Sequence, residues 1–148
     1  MFPVPRPLHL VGLDLTTKTN REVVRMSLRF AQISIAHTHA HNAFTPQSRK
    51  VLNRHDAEMV GIYEPDPTIR RARGDRPEYA GMRWYESYDE ILDDPNVSAG
   101  YIESWPCECI HWARKALLAG MHIHLDKPPG LSLDDLESLY DVAAKNGL

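Results

Sequence analysis

The chain has 148 residues, 43% of them hydrophobic and 25% charged, so it is long enough for one globular domain with a sizeable core. Its net charge of −3 argues against a nucleic-acid-binding protein, which would carry a strong basic excess. Its sequence shows no apolar run near the roughly 20 residues of a membrane span and no signal-peptide pattern, so we expect a cytoplasmic protein that binds neither membrane nor nucleic acid.

The first thirty residues are difficult to assign to regular structure. Pro3, Pro5 and Pro7 predict an extended start, and we expect residues 1–30 to form a partly disordered N-terminal extension. Residues 19–30 are compatible with either a short helix or a strand. The regular domain is predicted to cover residues 31–148.

Within that domain, short apolar segments alternate with segments of helical periodicity. Strands are predicted at residues 33–36, 58–63, 82–85, 97–102 and 121–125, and helices at residues 45–53, 68–73, 87–92, 107–119 and 133–145. Such strand–helix alternation predicts an α/β fold built on a parallel sheet that is covered on both faces.

The last predicted strand organises the rest of the chain. Gly120 before it is suited to a left-handed helix cap, and Ser132 after it begins a capping box. Asp126 and Lys127 follow the strand directly, which places two opposite charges at a carboxyl end, where ligands of open α/β sheets bind.

The residues around this strand resemble a known family. Residues 119–128, AGMHIHLDKP, are similar to the A-G-K-H-V-x-x-E-K-P motif of the Gfo/Idh/MocA oxidoreductases, which include glucose-fructose oxidoreductase and inositol dehydrogenase. Residues 88–97 and the final helix are similar to further pieces of the family's N-terminal domain, in the same order. The resemblance runs from about residue 33 to residue 148.

This resemblance implies a Rossmann-like, doubly wound parallel sheet that binds NAD(P). It implies hydride transfer between the nicotinamide and a hydroxyl-bearing carbon of a sugar or polyol-like substrate. It is also compatible with a homo-oligomer. In the family, a larger second domain follows and supplies much of the substrate site. The chain ends at Leu148, before such a domain, so we expect no dehydrogenase turnover from these 148 residues alone.

The phosphate-binding turn departs from the family pattern. The matching run is taken as residues 36–41, which contain no glycine, whereas the family has a G-x-G-x-x-G-like turn. Ala36, Thr38, His39 and His41 are the predicted cofactor-binding residues here, with Thr38 in place of the second glycine.

The resemblance also assigns residues at the ends of later strands. Lys127 corresponds to the lysine of E-K-P, beside the nicotinamide and the substrate hydroxyl, and is predicted to be catalytic. Asp126, one methylene shorter than the family's glutamate, is predicted to contact the cofactor or to orient Lys127. Ser104 and Trp105 are predicted to line the cofactor cleft.

Glu64 ends the second predicted strand. An acid at this position accepts hydrogen bonds from the ribose hydroxyls and disfavours a 2′-phosphate, so NAD is the expected cofactor, with NADP as the alternative. An ordinary turn acid is the competing interpretation.

His37, His39 and His41 form an H-x-H-x-H run that allows a different interpretation. Alternate strand residues face one way and can gather metal ligands, for which His122 and His124 would be further candidates. We expect no metal, because the histidines are more simply residues that replace glycines in the turn. A metal-dependent hydrolase and a non-catalytic Rossmann remnant are the alternatives to the oxidoreductase.

Overall fold

A computed structural model describes residues 27–148, so the predictions for residues 1–26 lie outside the described part of the chain. Five strands form one sheet: β1 Leu28–Ile33, β2 Ala57–Tyr63, β3 Arg83–Trp84, β4 Ala99–Ile102 and β5 His122–Leu125. Five α-helices connect or follow them: α1 Pro46–Arg54, α2 Pro67–Arg73, α3 Tyr88–Asp93, α4 Pro106–Leu118 and α5 Leu133–Asn146. Short 3-10 helices lie at Ala40–Phe44 and Pro77–Tyr79.

The sheet has the order β3-β2-β1-β4-β5, and every neighbouring pair is parallel. The predicted α/β, Rossmann-like parallel sheet is therefore confirmed. Because the chain moves outward from β1 to β3 and then crosses to β4 on the other side, the strand order reverses between β1 and β4. Open α/β sheets bind ligands at such a switch point, outside the carboxyl ends of the strands.

The first strand differs from the prediction. β1 ends at Ile33, where the prediction began a strand, and it starts at Leu28, inside the predicted N-terminal extension. The reason is that Gln32 and Ser34 are polar yet fully buried, so they interrupt the apolar run by which sequence periodicity locates a strand.

The helix ends follow their local chemistry. The hydroxyl of Ser87 accepts a hydrogen bond from the Glu90 amide, and that of Ser132 accepts one from the Asp135 amide, which fixes the starts of α3 and α5. Gly120, with φ +82°, provides the left-handed residue after α4 that allows the chain to turn directly into β5.

Two buried clusters cover the sheet. The larger one packs Ile33 and Ile102 against the helices α3, α4 and α5, and the smaller one packs Ile62 against Phe44 and Tyr79. The two helix layers hold the strand ends in place but leave their carboxyl edge open. Among residues 27–148, no helix is long and apolar enough to cross a membrane.

Two adjacent leucines of α4 provide a matched test of this packing. Leu117 is 1% exposed and Leu118 is 64% exposed. We expect Leu117→Ala to lower the free energy of unfolding by about 2–5 kcal/mol, because it leaves a cavity in the larger cluster. Leu118→Ala, the control, should change it by less than about 0.5 kcal/mol. Urea unfolding measures both, and equal losses would contradict the assigned orientation of α4.

Candidate functional site

The candidate site lies where the carboxyl ends of β1, β4 and β5 meet. It is built from residues 34–39, which we call the first turn, from residues 103–105 after β4, and from residues 126–128 after β5. β4 pairs with β1 on one side and with β5 on the other, so these three segments are held side by side by the sheet itself.

The first turn begins at Ser34, which has a left-handed backbone with φ +68°. Its hydroxyl donates to Glu64 Oε2 at 3.0 Å and accepts from the Ala36 amide at 3.1 Å, and these bonds offset the strain of this conformation in a residue with a side chain. The turn therefore starts two residues earlier than predicted.

This start changes which residues correspond to the glycines. Counted from Ser34, the G-x-G-x-x-G spacing falls on Ser34, Ala36 and His39, rather than on Ala36, Thr38 and His41. Thr38 is exposed and does not occupy the second glycine position. The two positions that need small residues hold serine and alanine, and both residues are buried.

Glu64, at the end of β2, is tied to this turn. Its buried carboxylate accepts hydrogen bonds from Ser34, from the Ile35 amide at 2.6 Å and from the Asp66 amide at 2.8 Å. Arg73 of α2 donates to the carbonyls of Ile35 and Ala36 from the same side. Glu64 thus shapes the first turn, while its role in selecting NAD stays a prediction.

Two histidines of the first turn meet two carboxylates. His37 Nδ1 lies 2.9 Å from Asp126 Oδ2 and 3.4 Å from Glu103 Oε2. His39 Nε2 lies 3.2 Å from the same Asp126 oxygen and 3.9 Å from Glu103 Oε2. The two imidazole rings stack with centroids 5.3 Å apart. We call these four residues the His–carboxylate cluster.

The two carboxylates of the cluster titrate in opposite directions. Burial pushes the pKa of Asp126 upward, but hydrogen bonds from His37 and the Lys127 amide outweigh it and leave the pKa below its usual value. Burial raises the pKa of Glu103, and the negative charge of Asp126 raises it further. Asp126 is therefore the stronger acid of the pair.

The remaining predicted residues surround this cluster. Lys127 is exposed, and its peptide bond to Pro128 is cis. Trp105 precedes α4 as its N-cap residue and presents its ring edge-on to His37 at 6.4 Å. Ser104 is buried, and its hydroxyl donates to the carboxylate of Glu108 in the first helical turn of α4 at 2.6 Å.

The other histidines lie elsewhere. His41 belongs to the 3-10 helix Ala40–Phe44 and is not part of the cluster. His122 and His124 are exposed on β5, and His124 stacks on Tyr101 with centroids 4.5 Å apart. The metal hypothesis required the histidines of β5 to lie beside those of the first turn, and they do not.

Glu103 was missed by the sequence analysis. The only indication of Glu103 in the sequence is its position as a single acidic residue immediately after β4, at the same edge as Asp126 after β5. A side chain directly after a parallel strand at the switch point is a candidate site residue by its position alone.

Comparisons with known proteins agree with this fold. Residues 34–148 match the family model described as "Oxidoreductase family, NAD-binding Rossmann fold". The chain is 36% identical over 97 residues to the uncharacterized oxidoreductase ORF334 of Rhizobium meliloti, a match that covers 66% of this chain and 28% of that protein. The chain thus spans well under half the length of this relative.

Solved structures show the same architecture. An NAD-binding protein from Listeria innocua superimposes with a TM-score of 0.68 and 22% identity, over 82% of this chain and 34% of that one. The WlbA dehydrogenase from Bordetella pertussis, solved in complex with NADH and UDP-GlcNAcA, gives 0.67 and 19%, over 82% and 33%. At these identities the likeness shows the fold.

The anchoring of the first turn can be tested at Glu64. We expect Glu64→Gln to lower the free energy of unfolding by about 1–3 kcal/mol, because one carboxylate oxygen that accepts hydrogen bonds becomes an NH₂ group that faces donors. Glu58→Gln in the same strand is the control, since Glu58 is exposed and, within residues 27–148, its side chain makes only a surface ion pair with Arg29 at 3.4 Å. Urea unfolding of both variants measures the difference, and indistinguishable curves would contradict the anchoring role.

Proposed function

The chain belongs to the Gfo/Idh/MocA family of oxidoreductases with an NAD-binding Rossmann fold, and on that premise we propose that it binds a nicotinamide nucleotide at the open edge beside the first turn. The reaction it serves is hydride transfer between the nicotinamide and a hydroxyl-bearing carbon of a sugar or polyol-like substrate. The first turn at the switch point between β1 and β4 is the observation that carries this proposal.

The residues of the first turn fit a dinucleotide. Ser34 makes the sharp left-handed exit from β1 that the first glycine of the motif provides. Ala36 has only a methyl group at the position where the backbone must approach the pyrophosphate. Ala36, Thr38, His39 and His41 would then lie along the phosphates, and Glu64 would lie toward the adenosine ribose.

The opposite end of the open edge would receive the nicotinamide. Asp126 and Lys127 follow β5, while Ser104 and Trp105 follow β4, so the four residues lie at the same edge of the sheet, where the exposed Lys127 and Trp105 would border the nicotinamide. The chemistry that NAD supplies when bound is hydride exchange. In the resembling family, the lysine of E-K-P exchanges a proton with the substrate oxygen. Lys127 would do the same here: its ammonium would donate the proton to that oxygen in reduction, and its neutral amine would accept it in oxidation.

A sugar substrate is supported by one neighbour. The WlbA dehydrogenase, whose structure contains NADH and UDP-GlcNAcA, shares this fold at 19% identity. A hydroxyl-rich substrate also suits an edge that offers carboxylates and imidazoles as hydrogen-bond partners.

The choice of nucleotide tests the proposal directly. We expect NAD to bind more tightly than NADP, because a carboxylate at the end of β2 disfavours the 2′-phosphate. Calorimetric titration of the 148-residue chain with each nucleotide measures this. Tighter binding of NADP would remove the role assigned to Glu64, and failure of both nucleotides to bind would favour a non-catalytic Rossmann remnant.

The role of Lys127 needs a turnover measurement. In a protein that joins this chain to a second domain of the family type, we expect Lys127→Ala to lower kcat by about 10²- to 10⁴-fold, the usual contribution of general acid–base catalysis. NADH affinity should change little. Lys145→Ala, at the exposed end of α5, is the control. An undiminished kcat in Lys127→Ala would exclude this lysine from the chemistry.

A further inference from the structure

We propose that the His–carboxylate cluster, formed by His37, His39, Glu103 and Asp126, is a binding site for one divalent transition-metal ion of the Zn²⁺ class. This inference does not depend on nucleotide binding. It replaces the expectation from the sequence that no metal binds, because that expectation rested on histidines as the only ligands.

The separations of the ligand atoms match a shared central ion. Each of the four residues offers one ligand atom, and all four atoms lie within 4.8 Å of one another. Zinc bonds to nitrogen and carboxylate oxygen are about 2.0–2.2 Å long, so two ligands of a tetrahedral site are about 3.4 Å apart. The four separations that join a histidine to a carboxylate, 2.9, 3.2, 3.4 and 3.9 Å, bracket this value.

Two of the ligand atoms in the described part of the chain make no hydrogen bond, although each has an ion-pair partner. Within residues 27–148, Glu103 Oε2 and His39 Nε2 are buried atoms without a hydrogen bond. The side chain of Glu103 is only 2% exposed, and a buried carboxylate oxygen without a donor is costly. Both atoms lie near their neighbours without being aligned for hydrogen bonding.

The scaffold holds the ligands without help from the ion. His37 and His39 are fixed by the first turn, whose His37 amide donates to the Glu103 carbonyl at 3.4 Å. The Tyr101 hydroxyl interacts with the Glu103 carboxylate, and the Lys127 amide interacts with that of Asp126. Such outer contacts orient metal ligands in known sites. The imidazole of His39, 38% exposed, leaves an entry path from solvent.

Charge and donor type indicate the class of metal. When both carboxylates are ionised they bring a charge of −2 to this edge, which one dication neutralises. Two imidazole nitrogens with two carboxylate oxygens suit zinc and its first-row neighbours, whereas Mg²⁺ and Ca²⁺ prefer oxygen alone. An ion here would tie the first turn to the ends of β4 and β5. It would also offset the repulsion between these carboxylates and an anionic ligand.

The competing explanation is an ion-pair network in which protonated histidines neutralise the acids. It accounts for the hydrogen-bond contact between His37 and Asp126 at 2.9 Å. It pairs Glu103 Oε2 with His37 at 3.4 Å and His39 Nε2 with Asp126 at 3.2 Å, but it leaves both buried atoms without an aligned hydrogen bond.

The test is a zinc-binding measurement on the 148-residue chain without nucleotide. After removal of metal with a chelator, we expect calorimetry with Zn²⁺ to give one equivalent, and Co²⁺ to give the visible absorption of a four-coordinate ion. His39→Ala and Glu103→Gln should each weaken Zn²⁺ binding at least tenfold. His41→Ala and His124→Ala, the control variants, should bind as the parent does, and Mg²⁺ should not compete.

Folding and binding can be separated in these variants. Circular dichroism melts without metal identify any variant that fails to fold. Added Zn²⁺ should raise the Tm of the parent and of the controls but not that of a folded His37→Ala/His39→Ala double variant. Absence of a stoichiometric site in the parent, or equal binding by the parent and the double variant, would overturn the proposal. Equal loss in the His124→Ala control would overturn it as well.

Discussion

The candidate site depends on the buried carboxylate of Glu64. It accepts one hydroxyl and two amide hydrogens from the start of the first turn and from the residue before α2. These bonds hold Ser34 in a left-handed conformation that a residue with a side chain otherwise avoids. Because β1 stops there, His37 and His39 come to lie above the ends of β4 and β5 rather than continuing outward as a strand.

The regular parts of the fold were accessible from sequence. The helices α3 and α5 start at the serines that capping chemistry selects, and Gly120 ends the α4 segment as its conformational freedom predicts. The failure at β1 has a physical cause. Gln32 and Ser34 are buried because they serve the turn through hydrogen bonds, and a hydrophobicity pattern does not register such residues.

The site was predictable only in part, for a related reason. Asp126 and Lys127 follow a recognisable strand and could be placed at the carboxyl edge. Glu103 could not be paired with His37 from sequence, since the two are brought together by the crossover from β1 to β4 and not by any local spacing. Sites at switch points therefore need the strand order before their members can be grouped.

Trp105 makes the site accessible to fluorescence measurements. The indole is 45% exposed and stands edge-on to the His37 imidazole, whereas Trp84 and Trp112 pack among other aromatic rings. A charged ligand that binds beside His37 changes the electric field at the Trp105 ring, and the emission of an indole responds to that field. The protein thus carries an intrinsic fluorophore beside the His–carboxylate cluster, through which binding at the cluster can be observed without a label.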